Sequence, residues 1–348
     1  MKRFLILSGV IMLDLSLLVL YSLDSGGFFR KVTEPNNSGT ILHGLKVLGA
    51  EDIAISRQDS FLIISSDDRG AHLNGRKPSG GLYFVDLTSD PLQPRLLTSR
   101  FEKPFFPHGI SMIEMDHGVF RIFAISHYLK SHSIEVFDLI EDSLTHIRTI
   151  EDPALISPND LVALDGTRFY VTNDHQYPTG WLRKVEDYAG LALSDVRYYD
   201  GNKFTKVADN IAYANGINYD FERKLLFVAS PRGFLVKVFR VEESRNLTHI
   251  EDIDAGTGVD NIEFDAEGKL WIGCHPNLMH FSGYMAGKSP VAPSEIVIID
   301  YRGAGDFDLQ SIFLDDGSTI SASTVAVPFG SRVFIGSVMD EEVIVWEK

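Results

Sequence analysis

Seven oxygen-bearing side chains recur at matched places along the chain: Glu51 and Asp52, Asn159 and Asp160, Asn215, and Asp260 and Asn261. Each group heads a short apolar stretch, as do His108-Gly109-Ile110 and Ser323-Thr324-Val325. Carboxylates and side-chain amides without sulfur suit a hard cation: calcium takes six to eight oxygens, whereas zinc favours nitrogen and sulfur. A single Asn-Asp pair is an ordinary turn or strand-entry feature. Four at equivalent positions of a repeat point to one shared ion. His108 occupies the same slot in its own repeat, and His127 directly follows the next strand of that repeat. His275 ends the equivalent strand of a later repeat, and Asp174 ends it in the third, placed to orient an imidazole. The sole cysteine, Cys274, lies in an apolar strand as a small core residue; it excludes an intrachain disulfide and a cysteine-based zinc site.

These residues need a scaffold that brings distant segments to one axis. Six apolar strands supply the repeat: Phe61–Ser66, Arg121–Ser126, Arg168–Asn173, Lys224–Ser230, Lys269–Cys274 and Arg332–Ser337. Each is followed by a second strand (Gly81–Leu87, Ser133–Leu139, Val196–Asp200, Phe234–Val241, Ser294–Asp300, Glu342–Trp346) and preceded by a shorter one that opens on the polar residues above. A period of roughly 50 residues belongs to propeller blades. The expected fold is all-β, a six-bladed β-propeller over residues 40–348, with Thr40–Leu48 completing the last blade. Residues 181–193 break the β pattern: Trp181, Leu182, Val185, Tyr188 and Leu191 or Ala192 follow helical spacing, so a helix inserted in a blade loop is expected, as packed decoration or as a lid.

Met1-Lys2-Arg3 precedes an apolar run, Phe4 to Leu23, so residues 1–30 read as a signal peptide or signal anchor and the remainder as exported, secreted or held at a membrane. The run has the length that spans a bilayer, although Asp14 would cost roughly 2.5–3.5 kcal/mol there. Among 348 residues, 48 are Asp or Glu and 32 Lys or Arg, a formal charge of −16, which argues against nucleic acid as a partner. Asn36-Asn37-Ser38 and Asn246-Leu247-Thr248 are glycosylation sequons for a eukaryotic secretory route. No GxSxG elbow, HExxH helix, P-loop, EF-hand loop or post-strand GxGxxG occurs.

Six motifs in order, Phe106-Pro107-His108-Gly109-Ile110-Ser111, Pro158-Asn159-Asp160, Thr172-Asn173-Asp174-His175, Ala214-Asn215-Gly216-Ile217-Asn218, Val259-Asp260-Asn261-Ile262 and Trp271-Ile272-Gly273-Cys274-His275-Pro276-Asn277, resemble the paraoxonase (arylesterase/lactonase) family from about Leu42 to the C-terminus. The resemblance implies a propeller with two calcium ions that hydrolyses lactones and aryl esters. It implies an exposed catalytic calcium on Glu51, Asn159, Asn215, Asp260 and Asn261, and a deeper one on Asp52, Asp160 and the carbonyl of Ile110. It further implies a His108–His127 pair with Asp174 supporting His127, His275 lining the pocket, and retention on lipid through the N-terminal segment. Glu51 is a competing base. Two departures stand out: the terminal cysteines of mammalian members are missing, and the loop Asp67-Asp68-Arg69-Gly70 is charged. A non-catalytic, membrane-anchored accessory propeller and a gluconolactonase or strictosidine-synthase type hydrolase are the rival readings.

Overall fold

The computed structural model describes residues 12, 16–32, 35–37, 39–128 and 131–348. They form six antiparallel sheets, five of four strands and one of five, arranged as a six-bladed β-propeller. The blades run in chain order. Their innermost strands are Ala50–Ser56, Pro107–Glu114, Pro158–Ala163, Ile217–Asp220, Gly258–Phe264 and Ser323–Phe329.

Packing explains the continuous apolar runs. Six apolar clusters each lie between two neighbouring blades. Ile53, Leu62, Ile64 and Val85 of the first blade, for example, interleave with Val325, Val327, Phe334 and Val345 of the sixth. A middle strand is therefore covered on both faces, and every residue of Phe61–Asp67 is buried. The outermost strands face water on one side and mix exposed with covered positions, as in Leu247–Asp254 and Asp306–Asp315.

The ring closes as expected. Thr40–Leu45 pairs antiparallel with Val343–Glu347, Thr40 opposite Glu347 and Leu45 opposite Val343, so the N-terminal side supplies the fourth strand of the last blade. Asn36–Asn37 adds a short outer strand to the fifth blade. Without a disulfide, this strand pairing and the apolar seam beneath it hold the ends together.

Most of the apolar N-terminal run lies outside the described residues, as do Lys2, Arg3, Asp14 and Ser38 of the first sequon. Residues 16–25 are helical, and Gly26–Arg30 pack on the fifth blade: the Gly26 carbonyl accepts from Leu278 N–H at 3.0 Å, and Arg30 reaches the buried Glu295 at 3.0 Å. Among the described residues no helix is long and apolar enough to cross a membrane.

Trp346, fully buried on the closing seam, meets Phe313 of the fifth blade edge-on at 5.6 Å. Trp346→Ala should destabilise the protein by about 3–5 kcal/mol, the range for emptying a large aromatic site. Urea unfolding followed by circular dichroism checks it.

Candidate metal centre and histidine cluster

In a regular strand, consecutive side chains point to opposite faces, so Glu51-Asp52, Asn159-Asp160 and Asp260-Asn261 would not share a site. The inner strands escape that rule at these positions. Their pairing register shifts between Ala50 and Asp52, Pro107 and Ile110, Pro158 and Leu161, Val259 and Ile262, and Ser323 and Val325. Such irregularities free residues from the ladder and re-aim their side chains. Glycine permits the close approach of neighbouring blades: a Cβ on Gly109 would lie 2.5 Å from the Asp160 carboxylate, and one on Gly216 would lie 2.7 Å from the Asn261 Cα.

Four buried oxygens at these openings have no hydrogen-bond partner: Glu51 Oε2, Asn159 Oδ1, Asn215 Oδ1 and Asn261 Oδ1. They come from the first, third, fourth and fifth blades. The Asn261 amide spans between blades, donating to the Glu51 carbonyl at 2.9 Å and to Glu51 Oε1 at 3.1 Å, which turns its own Oδ1 away. Asp260 is held by His275, whose Nε2 lies 2.8 Å from Oδ2 while its ring stacks on Phe281 at 3.9 Å. An unpaired buried acceptor costs about 1–3 kcal/mol, so four of them call for a donor or a cation. Among the described residues no three His, Cys, Asp or Glu side chains form a ligand group, and an ion here relies on the amide oxygens.

Asp52 and Asp160 staple blades together. Asp52 accepts from Ile53 N–H at 2.8 Å and from Ile110 N–H, in the second blade, at 2.7 Å. Asp160 does the same with Leu161 at 2.7 Å and with Ile217, in the fourth blade, at 2.8 Å. Burial pushes Glu51 up to about 7, against the pull of Arg69, and burial with repulsion from Glu51 pushes Asp52 up to about 8. Asp160 is driven well above the carboxylate range by burial and by Asp52. Arg69 offsets part of this at Glu51, while no positive charge acts as a cause at Asp52 or Asp160.

His108 and His127 come together, their ring centroids 4.9 Å apart. His108 Nε2 faces Glu51 Oε1 at 3.7 Å. His127 Nδ1 lies 2.8 Å from Nδ1 of His132, a third imidazole that the repeat pattern did not point to because it belongs to the following strand. Burial lowers His108 well below its ordinary value, helped by Arg69, and lowers His127 to about 3, helped by His132.

Asp174 bonds elsewhere than the resemblance implied. It accepts from Ser157 Oγ at 2.5 Å, pairs with His175 Nδ1 at 2.6 Å and meets the Asn159 amide at 3.4 Å; it reaches His127 through its field alone. His175 Nε2 bonds Asp187 at 2.6 Å, tying the site to the helix Gly180–Ala189.

That helix packs inside out. Its buried residue is Glu186, whose carboxylate accepts from Gln176 and Tyr177 N–H at 2.9 and 3.2 Å, while Trp181 is 71% exposed and Val185 and Tyr188 face outward. The expected packed decoration does not hold: the apolar stripe is turned to the outside. Arg232 joins it to the N-terminal helix, donating to the Asp187 and Tyr188 carbonyls at 2.8 and 3.1 Å and to Ser25 Oγ at 2.9 Å. Leu17, Leu18, Val19, Leu20 and Tyr21 add to the exposed apolar surface.

A family profile described as Arylesterase matches residues 32–344. The chain is 32% identical over 323 residues to serum paraoxonase/arylesterase 1 of Rattus norvegicus, covering 89% of each, and 31% identical over 299 residues to the Homo sapiens protein of that name, covering 83% of each. Serum paraoxonase/arylesterase 2 of Gallus gallus is 33% identical over 299 residues, again 83% of each. Among solved structures, a luciferin-regenerating enzyme superposes with a TM-score of 0.54 at 13% identity (88% of this chain, 92% of that one). The calcium-binding protein regucalcin from Agrobacterium tumefaciens gives 0.51 at 12% identity (89% and 93%). At such identities these structures share the fold.

Burial opposes charge on His175, yet its hydrogen bonds to Asp174 and Asp187 prevail and raise it to about 9. A raised imidazole stabilises the fold fully below its unfolded value of about 6.5 and ceases to as pH rises through 9. An elevation of that size corresponds to roughly 3 kcal/mol. The melting temperature should fall between about pH 6.5 and 9, and His175→Gln should flatten that part of the profile.

Proposed function

Since the chain belongs to the arylesterase family, we propose that it is a calcium-dependent hydrolase of aryl esters and lactones. The observation that carries the calcium half is the set of four unpartnered, buried oxygens at the openings of four inner strands. Glu51, Asn159, Asn215, Asp260 and Asn261 would hold a catalytic calcium. Asp52, Asp160 and the Ile110 carbonyl would hold a deeper one, where added positive charge would offset the burial and repulsion that push both acids above the carboxylate range. The donor set, all oxygen and part amide, fits calcium rather than zinc.

When bound, the catalytic calcium would polarise the substrate carbonyl. His108 would take the proton of the attacking water. Its neutral ring suits that role, and His127 packed against it, backed by His132, would share the proton. Glu51, whose Oε2 has no partner and whose Oε1 lies 3.7 Å from His108 Nε2, is the competing base. Asp174 and His275 act through others, Asp174 by fixing Asn159 and His275 by fixing Asp260. The outward apolar surface of the two helices supports a further reading, that this side of the propeller rests on lipid. Export, by cleaved signal or anchor, belongs to the same reading.

The test is turnover of phenyl acetate and a δ-lactone with and without a calcium chelator. Activity abolished by the chelator and restored by calcium is expected; undiminished activity overturns the metal reading, and no turnover of any ester favours a non-catalytic propeller. His108→Gln should lose about 10²–10⁴-fold in kcat, and a near-normal rate moves the base role to Glu51. Asp260→Ala should abolish the calcium-induced rise in melting temperature as well as activity.

A further inference from the structure

The charged loop of the first blade enters the site through Arg69. One arm of its guanidinium donates to the Val338 carbonyl at 3.1 Å; the other, Nη2, lies 2.5 Å from His108 Nδ1. A guanidinium does not give up its proton and cannot accept one, so His108 Nδ1 is the acceptor. The neutral ring then carries its proton on Nε2, the nitrogen facing Glu51. In this arrangement His108 has no lone pair to offer a water. The proposed base is blocked by an arginine.

The nearby acids make no ion pair with Arg69, although its field reaches Glu51. Asp67 is engaged by His72 at 3.0 Å, and Asp68 caps the short helix Arg69–Leu73 by accepting from Ala71 N–H at 2.8 Å. Among the described residues no carboxylate lies within ion-pair distance of Arg69, nor of Arg183, which stands over the site from the helix Gly180–Ala189 and donates to the Pro178 carbonyl at 3.0 Å. The positive field of Arg183 reaches His127, His132 and Asp174. Two guanidiniums without carboxylate partners thus flank the histidines of a chain whose net charge is −16. A neutral aryl ester gives neither of them anything to bind.

We propose that Arg69 is a specificity residue that reads a carboxylate on the substrate, remote from the bond being cleaved, and that engaging this carboxylate draws the guanidinium off His108 and frees the imidazole to act as base. A planar guanidinium fork matches a carboxylate with two parallel hydrogen bonds, a better partner than one ring nitrogen. Substrate recognition and base release are then one movement of one side chain. The preferred substrate class is an ester or lactone bearing a free carboxylate. This inference rests on the hydrolase reading for its kinetic half only.

The experiment compares phenyl acetate with the monophenyl ester of glutaric acid, using calcium-loaded wild-type protein, Arg69→Leu and Arg69→Lys. Wild type should prefer the acid-bearing ester in kcat/KM. That preference should fall about 10- to 100-fold in Arg69→Leu, the range for losing a hydrogen bond to a charged group, and Arg69→Lys should keep part of it. The neutral ester should be cleaved faster by Arg69→Leu, because the ring is no longer held. Calorimetric titration with glutaramate, which carries the carboxylate but no ester, should show affinity weakened at least about tenfold in Arg69→Leu. An unchanged ester ratio together with equal glutaramate affinity overturns the proposal. If wild type cleaves neither ester, the hydrolase reading fails, and the glutaramate titration still decides whether Arg69 reads a carboxylate.

Discussion

Everything at the centre of this propeller follows from placing acceptor oxygens where neither water nor enough N–H donors can reach them. The inner strands depart from regular pairing at the same point in five blades, and the departure aims carboxylates and amides inward. Some of these oxygens find backbone amides in the next blade, as Asp52 and Asp160 do, and so fix the order of the blades. Others find nothing. Six interblade clusters hold the inner strands in place, so the openings cannot spread to let water in. Stability of the shell and polarity of the centre are therefore coupled: a looser core would hydrate the oxygens and remove the demand for a cation.

The centre is also connected outward. Asn159, at one opening, touches Asp174; Asp174 holds His175; His175 holds Asp187 on the helix Gly180–Ala189. Arg232 carries the connection from that helix to the N-terminal one. This chain of charged contacts is why the helix presents its apolar stripe outward. Glu186 and Asp187 have buried partners to satisfy, and Trp181, Val185 and Tyr188 do not. Desolvating an acid with its hydrogen bonds made costs less than abandoning them. The result is an apolar face on the helix that carries Asp187.

Much of this was legible from residues alone. The second strands of the blades are largely buried on both faces, which writes them as apolar runs such as residues 61–64 and 270–274. The outer strands Ser143–Ile150 and Leu247–Asp254 mix covered and exposed positions and carry no such mark. The oxygen pairs could be found because a repeat puts them in register. His132 and Arg69 could not, since each enters from a loop or strand end whose path depends on packing, and neither recurs in other blades. Helical spacing located Gly180–Ala189 but not its orientation, because the period of an amphipathic helix is the same whichever face turns inward. Chain position left open which imidazole Asp174 would orient, and the fold puts its direct bond on His175 while its charge still reaches His127.

The electrostatics of the cluster favour a cation on grounds independent of the orphaned oxygens. Burial disfavours charge on every group here: it raises Glu51 and Asp52 and lowers His108 and His127. Left without a cation, Glu51, Asp52 and Asp160 hold protons more tightly than ordinary carboxylates and so serve less well as ligands. A divalent cation acts on the two sets in opposite directions. With a cation bound, Glu51, Asp52 and Asp160 would favour their ionised, ligating form, and protonation of His108 and His127 would be disfavoured. Arg69 already does a fraction of this, pulling Glu51 down and holding His108 lower still. One ion at the axis would favour the ionised form of the carboxylates and the neutral form of the imidazoles together, leaving the Arg69 contact to decide whether His108 can accept a proton.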